Sequence, residues 1–164
     1  MSNWAKKTDS HDLWLTPPNL VQVLNSEFQF DLDAAASPNN AICDNFITAE
    51  QNALHTPWKG RTVWCNPPYS LIKEFTCRAY EEHIEQKNTT VLLLPTYTDP
   101  KYWRDYVTKS HEVRHLVGRL QFIDGNLGIK RMSARFPSSL IVFKYISGEH
   151  YGKSPNYWSW DWRK

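Results

Sequence analysis

Asn66, Pro67, Pro68 and Tyr69 follow directly on the apolar run Val63-Trp64-Cys65, and they offer a chemistry that neither a helix nor a sheet requires. Each proline lacks a backbone N–H, fixes φ and pushes the residue before it into extended geometry. The product is a rigid loop at a strand end, rich in acceptors and poor in donors. Its carbonyls and the Asn66 side-chain oxygen can face a ligand that offers hydrogens, and Tyr69 adds a flat aromatic surface. A planar ring carrying an exocyclic amino group matches this set, with two N–H groups met by two acceptors and the ring stacked on the tyrosine. An aryl amine is a poor nucleophile because its lone pair is delocalised. Acceptors that hold both protons favour charge on nitrogen as it attacks, and a fixed attack line supplies much of the remaining acceleration. The plain alternative is a Pro-Pro pair that merely ends a strand. By composition, Asn/Asp/Ser-Pro-Pro-aromatic arises by chance in about one chain in a hundred of this length, and its place after a core strand favours chemistry.

The elements that must position this loop are readable from periodicity. "TPPNLVQVLNSEF" predicts a helix, with Thr16 as its cap and Leu20, Val21, Val23, Leu24 and Phe28 as its apolar stripe. "FQFDLDAAAS" predicts a short strand running into the polar turn "SPNNA". "RTVWC" is a strand, and "SLIKEFTCRAYEEHIEQK" a helix with Leu71, Phe75, Ala79 and Ile84 inward. "TTVLLLPTYT" reads as a strand buried on both faces. "DPKYWRDYVTKS" opens as a helix capped by Asp99, and "EVRHLVGRLQFI" and "SSLIVFKYI" supply the last strands. This alternation predicts an α/β domain with a mostly parallel central sheet, helices on both faces and ligands at the carboxyl ends of the strands. Residues 1–12 are expected to be a loose N-terminal segment and residues 13–164 a single domain.

Composition bounds the class. The chain has 164 residues, 41% hydrophobic and 22% charged, ordinary for a soluble globular domain. Net charge is +2, which permits a nucleic-acid partner without arguing for one. Cys43, Cys65 and Cys77 show no ligand spacing and read as reduced thiols of a cytoplasmic protein. No run is long enough to span a membrane, and the histidines are unpaired in spacing, so neither membrane nor metal is expected.

Several stretches together carry a resemblance. "LWLTPPNLVQVLNSEFQFDLDAAASPNNA", "TAEQNAL", "VWCNPPYS", "LLLPTYTDPKYWRDYV", "EVRHLVGRLQF" and "RFPSSLIVF" resemble, in order, the phage-encoded DNA adenine-N6 methyltransferases, the Dam-type phage family. The likeness covers roughly residues 13–146. It implies a compact Rossmann-like class I methyltransferase fold and methyl transfer from S-adenosyl-L-methionine to adenine N6 in DNA. It further implies base flipping, a phage or prophage origin and action in the host cytoplasm. Carried over, Asn66 and the Pro67 carbonyl accept from the target amino group, Pro68 holds the loop and Tyr69 stacks on the base. Thr16 and Pro17 match a motif that touches the methionine part of the cofactor. Asp31, Asp33 and Ala34 match the first cofactor strand, and Asn52 falls near the cofactor adenine.

The chain departs from that pattern in two places. "AAASPNN" replaces a glycine-rich turn, and Asn52 stands where an aspartate is expected. Lys130, Arg131 and Arg135, on the turn "DGNLGIKRMSARF", and Arg119 are the candidate DNA contacts, with solvated basic residues as the alternative. Trp158, Trp160 and Trp162, at period two, fit an aromatic packing stripe better than a base-stacking surface. Three rival functions share the fold or pocket: cytosine-N4 transfer on DNA, glutamine methylation of a protein, and a catalytically silent DNA-binding relative.

Overall fold

Alternation along one strand decides the architecture. The computed structural model describes residues 14–125, 128–129, 133–148 and 154–164. The segment expected to be loose over residues 1–12, and the nominated Lys130 and Arg131, lie outside the described residues. Strand β4 (Thr89–Pro95) sends Leu92 and Leu94 to one face and Val91 and Leu93 to the other, all fully buried. A strand apolar on both faces must be covered on both. Helix α2 (Ile72–Gln86) and the short α3 (Lys101–Asp105) cover the first face with Phe75, Ala79, Tyr102 and Trp103. Helix α1 (Pro18–Phe28) covers the second with Leu20 and Leu24, beside Phe122 and Phe136.

The main sheet has the order β2-β3-β4-β7-β5-β8, built from Leu32–Asp33, Thr62–Cys65, β4, Ser138–Phe143, Glu112–Leu116 and Asn156–Trp160. Strands β2, β3 and β4 pair in parallel, β7 is reversed between β4 and β5, and β8 runs parallel to β5. The carboxyl ends of β2, β3, β4 and β5 therefore meet at one edge, and β7 begins there. A separate antiparallel pair joins β1 (Trp14–Leu15) to β6 (Ile123–Asp124).

Four local expectations are corrected. Thr16 does not cap α1: Pro17 precedes the first helical residue, and its carbonyl accepts the Leu20 and Val21 N–H groups at 3.0 and 3.1 Å. Asp99 does not cap α3, which starts after Pro100 and is only five residues long. Ile84 is exposed, and Glu82 and His83 take the buried turn, because four-residue steps from Phe75 and Ala79 reach 83 rather than 84. The predicted strand over "EVRHLVGRLQFI" breaks at Gly118, where φ is +80°, so that β5 and β6 join different sheets.

The start of β3 is pinned to β2 from below. The Asp31 carboxylate accepts the N–H groups of Arg61 and Thr62 at 3.1 and 3.0 Å, and Gly60 lies under the same turn. A Cβ at Gly60 would sit 2.7 Å from Leu32 Cβ and 2.8 Å from Asp31 Oδ1. Gly60→Ala is therefore expected to destabilise the fold by about 2 kcal/mol through overpacking of backbone-fixed groups. Urea unfolding measures this, and an unchanged midpoint would contradict the tight β2–β3 approach.

Candidate active site

Parallel pairing brings two remote polar residues to one place. Asp33 lies opposite Trp64 in the β2–β3 register, and the Ala34 N–H donates to the Trp64 carbonyl at 2.9 Å. The next residue after β3 is Cys65's neighbour Asn66, so Asp33 and Asn66 end adjacent strands side by side. A cavity of about 370 Å³ opens between them, lined by Thr16, Asp33, Ala35, Asn40, Ile42 and Asn66 among others. Asp33 is the one charged residue in that lining among the described residues.

Asn66 has a defined amide. Its Nδ2 donates to the Trp14 carbonyl at 3.2 Å and to Thr16 Oγ1 at 3.1 Å. Its Oδ1 is buried and accepts no hydrogen bond among the described residues. A buried acceptor left unmet costs roughly 1–3 kcal/mol, which a donor from a ligand would recover. Pro67 and Pro68 are buried behind it, and Tyr69 opens a 3₁₀ turn over Tyr69–Leu71 that leads into α2. The Tyr69 ring is held by edge-on contacts with Trp14, Phe122 and Phe136, at centroid distances of 6.3, 6.2 and 5.5 Å. Burial pushes the Tyr69 phenol far above its ordinary range, with Tyr97 adding to the rise. The ring therefore stays neutral.

Asp33 closes the loop on the cavity's other side. Its two oxygens accept the Ala35 and Ile42 N–H groups, each at 3.2 Å. The turn between them is fixed by Asn40, whose Oδ1 accepts the Ser37 N–H at 2.6 Å. No residue from 34 to 42 has positive φ, so this turn has no conformational need for glycine. Ala35 and Ala41 keep the wall thin instead.

The other nominated residues are placed as follows. Thr16 lines the cavity, whereas Pro17 and Ala34 are buried beside it as framework. Asp31 sits at the opposite end of β2 from the cavity, engaged in holding β3, and is outside the cavity lining. Asn52 is likewise outside the lining. It sits at φ +57° and accepts the Leu54 N–H at 3.2 Å, a left-handed turn role that asparagine adopts readily. Arg119 and Arg135 are exposed, on the segments after β5 and before β7 at the carboxyl edge. Trp158 and Trp160 flank the Arg114 guanidinium, at 5.1 and 5.4 Å from the ring centroids, as a packing stripe on β8. Sequence reasoning missed Trp14, Phe122, Phe136 and the exposed Tyr97, which lies 6.0 Å from Phe136. Only the chain's high aromatic content hinted at such a cluster.

The chain matches the family described as DNA N-6-adenine-methyltransferase (Dam) over residues 3–154. The DNA N-6-adenine-methyltransferase of Haemophilus phage HP1 (strain HP1c1) is 34% identical over 143 residues, covering 85% of this chain and 82% of that protein. The DNA N-6-adenine-methyltransferase of Escherichia phage T1 is 36% identical over 118 residues, covering 70% of this chain and 49% of that protein, about half its length. The putative methyltransferase YfdM of Escherichia coli (strain K12) is 38% identical over 65 residues, or 35% of this chain and 71% of that protein.

Burial raises the Asp33 carboxyl from 3.8 to about 6, against the smaller lowering effect of the Ala35 and Ile42 N–H groups. A raised acid binds protons in the folded state before the unfolded state does. Its contribution to stability is full below about pH 4 and is lost as the pH rises through about 6. The stability of the protein relative to Asp33→Asn is expected to fall by on the order of 3 kcal/mol between pH 4 and pH 7. Urea unfolding of both proteins across that window measures it, and a pH-independent difference would contradict a buried, unpaired Asp33.

Proposed function

The chain belongs to the family of DNA N-6-adenine-methyltransferases, and on that premise we propose that it methylates adenine N6 in DNA at the cavity between the ends of β2 and β3. The observation that carries this reading is the buried Asn66 Oδ1, unpartnered among the described residues, beside a pocket whose one charge among those residues is Asp33. We further infer the finer fold, a Rossmann-like class I methyltransferase, and S-adenosyl-L-methionine as the methyl donor. The residues fit that donor. A cavity of about 370 Å³ is of the size that holds a small-molecule ligand. The cavity offers an acid for an ammonium or a ribose hydroxyl, small alanines for close approach, and Thr16 at its wall.

When bound, the donor supplies an already activated methyl group on a sulfonium. The chain's part is to bring the amino nitrogen to it. Flipping the adenine out of the duplex costs a few kcal/mol, offset by stacking on Tyr69 and by phosphate contacts. Arg119 and Arg135, exposed at the carboxyl edge, are proposed for such contacts together with Lys130 and Arg131. Asn66 Oδ1 and the Pro67 carbonyl accept hydrogen bonds from the two amino N–H groups, Pro68 keeps that loop rigid, and the surplus amino proton leaves to solvent after transfer. Hydrogen bonds to both protons raise electron density on nitrogen as it attacks, and the fixed line removes orientational freedom. Deprotonated Asp33 serves the donor's positive or hydroxyl groups.

The test is transfer of a labelled methyl group from S-adenosyl-L-methionine to unmethylated DNA, with the digested nucleosides separated. The label is expected in N6-methyldeoxyadenosine. Label in N4-methyldeoxycytidine, or none with folded protein, would overturn the reading. Asn66→Ala is expected to lower transfer by about a thousandfold while donor binding by calorimetry stays within about threefold. Full activity in that variant would remove Asn66 from the mechanism.

A further inference from the structure

Thr16 was expected to touch the donor, yet its hydroxyl has a second engagement that the mechanism has not used. Thr16 Oγ1 lies 3.1 Å from Asn66 Nδ2, and the Trp14 carbonyl lies 3.2 Å from the same nitrogen. A carbonyl can only accept, so the atom facing it must be the amide nitrogen and not the oxygen. The hydroxyl takes the second proton. Both donors of Asn66 are thus consumed by the chain, and the side chain presents only Oδ1, buried and unpartnered, to an incoming group. A free asparagine can rotate by half a turn and offer N–H instead, which would suit a keto oxygen rather than an amino group.

Resting on the proposed function, we propose that β1 and the residue after it form a polarity lock, in which Thr16 is a positioning residue that, with the Trp14 carbonyl, fixes the Asn66 amide so that the site admits hydrogen donors only. The substrate class follows. A base bearing an exocyclic amino group is accepted, and a 6-keto purine meets acceptor against acceptor. Sites whose buried polar groups are left mismatched reject the wrong ligand strongly. The lock depends on tertiary structure, because β1 is two residues long and is held by antiparallel pairing of Trp14 with Asp124 and Leu15 with Ile123.

Thr16→Val removes the acceptor at nearly constant size, and Thr16→Ser retains it. At saturating S-adenosyl-L-methionine and DNA, Thr16→Val is expected to lower kcat by about tenfold or more and Thr16→Ser by less than about threefold, with donor affinity in both within about threefold. Full kcat in Thr16→Val, failure of serine to rescue, or loss confined to donor affinity would overturn the lock; the last outcome would make Thr16 a donor contact alone. An activity-independent readout is the Asn66 side-chain amide in ¹⁵N-labelled protein, identified by its loss in Asn66→Ala. Both protons are expected to exchange slowly in the unmodified protein and in Thr16→Ser, with one released in Thr16→Val. Fast exchange of both in the unmodified protein would overturn the proposal, and this decides it even where Thr16→Val does not fold. If the unmodified protein transfers no methyl group to adenine, the proposed function fails, while the amide protons still decide the lock.

Discussion

The Asn66 amide gives both of its protons to the chain itself, and the remainder of the site is organised around the oxygen that is left. That oxygen is buried without a partner. Such an arrangement is stable only when many independent contacts over-determine it, since an unmet acceptor costs free energy in the resting protein. The two prolines after Asn66 remove the backbone freedom that would let the loop relax, and β1 removes the rotational freedom of the amide. Rigidity here is preorganisation: the acceptor geometry exists before any ligand arrives.

Two layers of packing hold that geometry. On one face Val63 and Cys65 of β3 join the core under α2 and α3, and on the other Trp64 joins the core under α1. The strand that delivers Asn66 is therefore clamped from both sides. The irregular stretch before it is pinned as well. Glu82 accepts the Trp58 N–H at 2.7 Å and pairs with Arg78, and Asn88 donates to the Trp58 carbonyl at 3.0 Å. Burying a carboxylate is costly unless it is paired and hydrogen-bonded, and Glu82 has both. The aromatic cluster of Trp14, Tyr69, Phe122 and Phe136 then ties β1, the loop of residues 66–69 and the entry to β7 into one unit beside the cavity.

What the sequence disclosed was local in origin. Proline's effect on its neighbours marked residues 66–69, and continuous apolar runs marked β4 and β7, because those signals reside in adjacent residues. The roles that escaped it are set by partners far along the chain. Thr16 and Asn66 meet across 50 positions and Asp31 reaches Thr62 across 31, and no local spacing announces either contact. Asp31 and Asp33 look equivalent in "FDLD", yet one secures the foot of β3 and the other faces the cavity, a division made by the strand's direction. Asn52 reads as a weakened functional position until its left-handed backbone shows why asparagine suits it. The absent glycines misled in the same way: the turn over residues 34–42 closes without positive φ.

The proposed site is one cavity that serves both the methyl donor and the amino group, with Asp33 on one side and Asn66 on the other. A crystal structure of the protein with S-adenosylhomocysteine tests it most directly. The ligand is expected in the cavity between β2 and β3, its sulfur facing Asn66 and a polar group hydrogen-bonded to the Asp33 carboxylate. A ligand seated elsewhere on the carboxyl edge, with this cavity empty, would contradict it.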